Sequence, residues 1–370
     1  MEHLQTDHKL KILLATLEQD YTSMLADSIS EYDAEVSFFK FTSKEFHLSE
    51  ISEAIENQSL KIDVVHLHWA HHYCYSGNKT KNFFVRRVKS IQISIENLIQ
   101  IRKLKSLGCK IVWTVHNSLS HEAKIPISEY IFRWGLSRLC DDIIVMSNYS
   151  RQEVQTTYGR RKRIHVIPLG NFIGAIPNSI SRDEARKKLD IPLDCKVLLN
   201  FGLMRPYKGI DDLLHAFKEI RRSDIVLLLA GNCSDTKLKN LIEESAEHDK
   251  RIMPHLKFIR NEDIQIFMNA SDWGVFPFKK ILNSASVLLA LSMGKPVVVP
   301  SKGVLPEIVL NSKNGFLYED KKYLGNAMLR ALNITQSSWE NMSAQAISST
   351  RKYDWVDIGK QHFRVYSENI

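Results

Sequence analysis

The sequence contains no long apolar run. Nowhere in its 370 residues does a hydrophobic stretch approach the roughly 20 residues that a bilayer-spanning helix needs, which argues against an integral membrane bundle. The N-terminus, MEHLQTDHKLKILLAT, lacks the layout of a secretory signal, so the protein is expected to stay in the cytoplasm. Cysteine is sparse too. The five cysteines, Cys74, Cys109, Cys140, Cys195 and Cys233, are odd in number, scattered and without a C-x-x-C pair, which argues against a disulfide framework, a zinc site or a redox centre. An RNA-module aromatic signature and helix-turn-helix spacing are also missing. The net charge of +8 is therefore read not as nucleic-acid binding but as a match for phosphate-bearing small substrates or an anionic membrane surface.

What is present is alternation. Short apolar runs at residues 11–17 (KILLATL), 63–69 (DVVHLHW), 110–116 (KIVWTVH), 142–147 (DIIVMS) and 164–168 (IHVIP) are separated by helical patterns, notably 91–107. A second series begins at 196–201 (KVLLNF), 224–231 (DIVLLLAG) and 256–259. Strand and helix in turn predict α/β architecture with mainly parallel, doubly wound sheets, whose ligands lie beyond the carboxyl ends of the strands. At about 150 residues per domain the length allows two domains. The Pro- and Gly-containing segment at 170–192 marks the link between them. The expected division is 1–175, 176–350 and a helical tail at 351–370, which without further information is an amphipathic helix anchored by Trp355 and Phe363.

The second series centres on residues 271–300, SDWGVFPFKKILNSASVLLALSMGKPVVVP, which reads as strand, small-residue loop, apolar helix and strand. Asn283, Ser284, Ala285 and Ser286 open the helix, where unpaired N–H groups and the helix dipole suit an anion; Ser and Asn are also ordinary N-caps. Upstream, Gly202 is followed by Arg205 and Lys208 on a turn closed by Gly209. Two cations beside a strand end can hold a diphosphate, Arg by its planar fork and Lys as a point charge; the plain alternative is a solvated turn. Downstream, Glu307 in GVLPEIV could accept vicinal sugar hydroxyls or simply favour its helix dipole.

These stretches resemble the donor-binding half of GT-B glycosyltransferases, in the large nucleotide-sugar group (family 4-like) with a G-x-x-x-x-x-KG turn and a GKPV strand. The resemblance covers most of the chain and implies two Rossmann-like domains facing a cleft, with a C-terminal helix that crosses back to the first domain near Asp354 and Trp355. It further implies that Arg205 and Lys208 hold the phosphates of a UDP-sugar or GDP-sugar donor and offset leaving-group charge, so that no metal and no cofactor is expected, and it places Glu307 by the donor. One departure matters. Many retaining members carry two glutamates eight residues apart, and alignment on Gly294, Lys295 and Pro296 puts Ile281 and Leu289 there, as in some bacterial exopolysaccharide and surface-polysaccharide enzymes. Retaining or inverting chemistry stays open.

In the first domain, residues 63–69 end with His66, His68 and Trp69, followed by His71 and His72. Two-residue periodicity puts His66 and His68 on one face and Trp69 on the other. Four histidines could hold a metal, but no carboxylate pattern supports one, and an aromatic ring with imidazoles suits a sugar. The next strand delivers WTVHNSLSHE, which resembles a segment of certain exopolysaccharide glycosyltransferases. His68, Trp69, His71 and Asn117 are the acceptor-binding candidates. If the reaction inverts, His116 or Glu122 is the candidate general base; if it retains, His116 contacts the donor sugar; His116 and Asn117 could instead just close a buried turn. Finally, GNKTKNFFVRRVKS (residues 77–90) interleaves cations with Phe83 and Phe84 ahead of the expected helix, which fits either docking on an anionic leaflet or a solvated loop.

The reading is a cytoplasmic, metal-independent glycosyltransferase, peripheral on the inner face of the cell membrane if the basic loop docks. It would move a sugar from a nucleotide diphosphate to a carbohydrate acceptor, lipid-linked, in surface polysaccharide assembly. A sugar-nucleotide epimerase on the same fold would need donor-side carboxylates that the central loop lacks. A non-catalytic sugar-nucleotide-binding subunit would account for the missing glutamates.

Overall fold

The computed structural model describes residues 9–42, 46–74, 82–117 and 126–368. The chain divides into two compact units, Met1–Gly170 with Asp354–Ile370, and Asn171–Tyr353. The first holds β1 (Leu10–Ala15), β2 (Ala34–Phe38), β3 (Val64–Leu67), β4 (Lys110–Val115), β5 (Asp142–Val145) and β6 (Ile164–Val166). They form one parallel sheet in the order β2-β1-β3-β4-β5-β6. The second holds β7 (Lys196–Phe201), β8 (Ile225–Ala230), β9 (Ile252–His255), β10 (Trp273–Val275), β11 (Val297–Pro300) and β12 (Gly315–Tyr318), again parallel, in the order β12-β11-β10-β7-β8-β9.

Every residue of β8 is buried, as a strand covered by helices on both faces requires. In each sheet the strand order reverses once, between β1 and β3 in the first and between β7 and β10 in the second. Loops leaving neighbouring strands at such a point run to opposite faces and leave a crevice at the carboxyl edge.

Several sequence expectations need correction. β2 and β12 were not foreseen. Both are edge strands of 4–5 residues, paired on one side only, so their burial pattern is weaker. The strand expected at 256–259 lies instead at Ile252–His255; it contains Pro254, which an edge strand tolerates because no ladder partner needs its missing N–H. The helix expected to begin at residue 91 begins at Phe83 and runs to Ser106, with the Asn82 side chain accepting from the backbone of Phe84 and Val85. Phe83, Phe84, Arg86, Arg87 and Lys89 are thus helical, while Lys79 and Lys81 lie outside the described residues.

The tail is two helices, Gln336–Thr350 and Trp355–Ser367, the latter capped by the Asp354 side chain. The second packs within the first unit. A Cβ on Gly359 would lie 2.2 Å from the Ser28 carbonyl oxygen, and one on Gly170 2.2 Å from the Trp355 indole, so both contacts demand glycine. Buried Lys110 donates from Nζ to the carbonyls of Val365, Tyr366 and Glu368 and lies 3.3 Å from Asp142. Among the described residues no helix is long and apolar enough to cross a membrane.

Candidate functional site

At the carboxyl edge of the second sheet, the turn after β7 carries the donor candidates. Gly202 has φ +104, and a Cβ there would meet Ser286 Oγ at 2.8 Å and Lys208 Nζ at 3.2 Å. A side chain at 202 would fill the spot on which hydroxyl and ammonium converge. Lys208 closes a short 3-10 turn, Pro206–Lys208, and Gly209 follows at φ +73, where a Cβ would lie 2.0 Å from the Pro277 carbonyl oxygen. The Lys279 N–H donates to the Tyr207 carbonyl at 2.9 Å, which locks the loop after β10 to the one after β7.

Lys208 is only 8% exposed. Burial, helped by the neighbouring Arg205, pulls its ammonium down to about 8, and no ion pair with another described residue offsets that cost. Arg205 donates to Ser234 Oγ at 2.8 Å, a partner from the loop after β8 that sequence reasoning missed, although the strand-end rule points to that loop.

Of the four residues opening the Ala285–Ser292 helix, Ser284 is the N-cap, its oxygen accepting from Val287 at 3.2 Å. Ser286 is the member turned toward Lys208; Asn283 is half-buried and Ala285 exposed. Glu307 lies half-buried in the short helix Leu305–Ile308 after β11. Where the resemblance would put glutamates, Leu289 is 6% exposed in the apolar core and Ile281 packs against the same core. A carboxylate at Leu289 would be buried in that core, while Ile281 is only partly covered.

In the first unit, the ends of β3 and β4 bring imidazoles together. His68 Nδ1 and His116 Nε2 are 2.9 Å apart. His66 contacts Thr114 Oγ1 at 2.8 Å through Nε2 and the Tyr366 hydroxyl at 2.7 Å through Nδ1. Trp69 does not point to the other face: its φ of 29 takes the chain out of the strand, and its indole stacks on His116 with centroids 4.3 Å apart. The Asn117 carbonyl accepts from buried Arg133 at 2.6 Å. His71 is half-buried beside His72, ring centroids 4.2 Å apart. Glu122 and His121 lie outside the described residues. Tyr366 and Arg133 come from distant helices and left no signal in the sequence.

This cluster is neutral at physiological pH. Burial holds His66 and His68 well below the ordinary imidazole value. It brings His116 down to about 3, with help from Arg133 and His71, and His71 to about 4. So weak a base does not collect a proton efficiently at pH 7, whereas a neutral imidazole can still donate or accept a hydrogen bond. Among the described residues no three His, Cys, Asp or Glu side chains are grouped to hold a metal ion.

Residues 195–333 match the family described as Glycosyl transferases group 1, and residues 36–170 match Glycosyltransferase Family 4. A GDP-mannose:glycolipid 4-beta-D-mannosyltransferase of Xanthomonas campestris pv. campestris is 25% identical over 84% of this chain and 81% of its own length. Among solved structures, sucrose-phosphate synthase from Thermosynechococcus elongatus superposes with a TM-score of 0.74 at 17% identity, covering 96% of this chain and 98% of that one. Anabaena HepE in complex with UDP and glucose does so at 0.72 and 16%, covering 95% and 98%. With two matched families spanning both units and these folds alongside, the chain belongs to the GT-B glycosyltransferases of the family 4-like group.

Proposed function

We propose that the second unit binds a nucleoside diphosphate sugar, UDP- or GDP-linked, and that the enzyme transfers the sugar to a saccharide acceptor carried on a lipid, in surface polysaccharide assembly. The carrying observation is Lys208: a buried ammonium with a hydroxyl beside it and a second cation nearby. Such a charge is costly alone and is stabilised when a diphosphate lies against it. Lys208 and Arg205 would neutralise charge growing on the leaving nucleotide, the part a metal plays elsewhere, and Ser286 with the helix N-terminus would add hydrogen bonds. Glu307 would accept from sugar hydroxyls. The lipid-linked acceptor is supported by the mannosyltransferase above, whose name specifies a glycolipid.

In the first unit Trp69, His71 and Asn117 would bind the acceptor, with Trp69 and His116 forming a stacked platform; His68, expected from the sequence to join them, is fully buried and would act only by holding His116 through their 2.9 Å contact. His116 acts as a neutral hydrogen-bonding group. Proton acceptance, in an inverting reaction, then falls to a carboxylate, with Glu122 the candidate. The test is calorimetric titration of UDP and GDP into wild type and Lys208→Ala, together with release of nucleotide from UDP- and GDP-sugars after EDTA treatment. Binding should weaken by about 1.5–3 kcal/mol, the range for hydrogen bonds to charged groups, and release should survive EDTA. Unchanged nucleotide affinity in Lys208→Ala removes the donor assignment.

A further inference from the structure

The helices Phe83–Ser106 and Pro126–Leu139 of the first unit lie side by side. The Ser94 hydroxyl donates to the Ser128 carbonyl at 3.1 Å, and a Cβ on Gly135 would run into Leu98 at 2.5 Å, so the contacts advance along both helices in the same direction. The first helix carries two apolar stripes. One is buried and includes Ile93, Ile101 and Leu104. The other, Phe84, Val88, Ile95 and Ile99, is 48–71% exposed; at about 100° per residue its members fall within roughly 60° of arc. On the second helix Ile127 and Trp134 are 41% and 44% exposed, and the Arg138 guanidinium sits 3.5 Å over the Trp134 ring.

Turning from the contact residues by roughly 90–100°, in opposite senses on the two parallel helices, puts both exposed stripes on one side of the pair, away from the sheet. Charge on the longer helix is one-sided, with Arg102 within the exposed stripe and Arg87 and Lys89 flanking it. The longer helix bears six cations against one acid, Glu96. Lys103 and Lys105 are paired with Glu56 and Asp141, whereas Arg86, Arg87, Lys89 and Arg102 have no ion pair with another described residue. In chain order this helix follows the carboxyl end of β3, the edge that carries His68 and Trp69.

We infer that this two-helix face seats on an anionic lipid bilayer surface, with Phe84 and Trp134 entering the headgroup boundary and Arg87, Lys89 and Arg102 facing lipid phosphates. Apolar side chains ringed by cations, with an indole beside an arginine, match the amphipathic depth profile of that boundary. The inference does not rest on the donor reading. It would put the acceptor edge of the first unit close to the plane in which a lipid-linked saccharide is anchored.

The full chain should co-sediment with vesicles of equal parts phosphatidylglycerol and phosphatidylcholine but not with phosphatidylcholine alone. Binding should fall as salt rises, because such attraction is screened over about 8 Å at physiological ionic strength. The pair Arg87→Gln and Lys89→Gln should lower partitioning about fivefold per cation removed, and the pair Phe84→Ser and Trp134→Ser should abolish it. Both variants should keep the wild-type melting temperature and nucleotide-release rate in vesicle-free buffer, which separates loss of docking from loss of donor chemistry. Equal sedimentation with both vesicle types, or wild-type binding by the serine variant, overturns the inference. So does a concentration-dependent dimer that the serine variant turns into a monomer without any vesicle binding, which would assign the face to a second copy of the chain.

Discussion

Lys208 carries a conditional charge. Its free ammonium is pulled down to about 8 by burial and Arg205, while a bound diphosphate favours the protonated form. Nucleotide affinity should therefore fall as pH rises above about 8, by at most tenfold per pH unit, and Lys208→Met should flatten that slope. Titration calorimetry across pH 7–10 in both proteins reads the difference directly. Lys208, Arg205 and Gly202 were legible in the sequence because the strand–Gly–cation order survives any fold that places them at a strand end. The face that Trp69 takes was not, since one residue at positive φ cancels the alternation that assigns faces. Tyr366 was not either, because its bond to His66 joins residues 300 apart.

At the scale of elements, the Trp355–Ser367 helix depends on Lys110, whose Nζ occupies the carbonyls of its last turn. Removing that cap, which also satisfies the negative end of the helix dipole, should destabilise the first unit by about 1.5–3 kcal/mol in Lys110→Met. Urea unfolding followed by far-UV circular dichroism and total tryptophan fluorescence checks it; a midpoint equal to wild type would show that the cap contributes nothing. The central strands were readable as apolar runs because both their faces are covered. The edge strands β2 and β12 were not, because AEVSF and GFLY are short and broken by a charge or a glycine, whereas IHVIP marked the still shorter edge strand β6. The start of the Phe83–Ser106 helix was missed for a related reason: its first turns bury nothing before Ser90, and the Phe84–Val88 spacing is interrupted by cations that read as a loop.

For the whole molecule, buried imidazoles make acid the expected point of failure. His66, His68 and His362 are at most 1% exposed and are held below 6.5, His362 at about 4. The folded state refuses protons that the unfolded chain accepts, so their contribution is full above 6.5 and is lost as pH falls from there toward 4. Each can cost up to about 1.4 kcal/mol per pH unit in that window. Melting temperature should drop steeply between pH 6.5 and 4, and less steeply in His68→Gln; parallel curves would contradict the assignment. The tail helix has a consequence in time as well as in space. On the ribosome, Asn171–Tyr353 has all its own strands in hand before Tyr366 emerges, whereas His66 and Lys110, made far earlier, must wait for partners near the end of the chain. The second unit can thus mature first during synthesis, and the earlier-made unit is the later one to be finished, its closing helix being the last element to arrive.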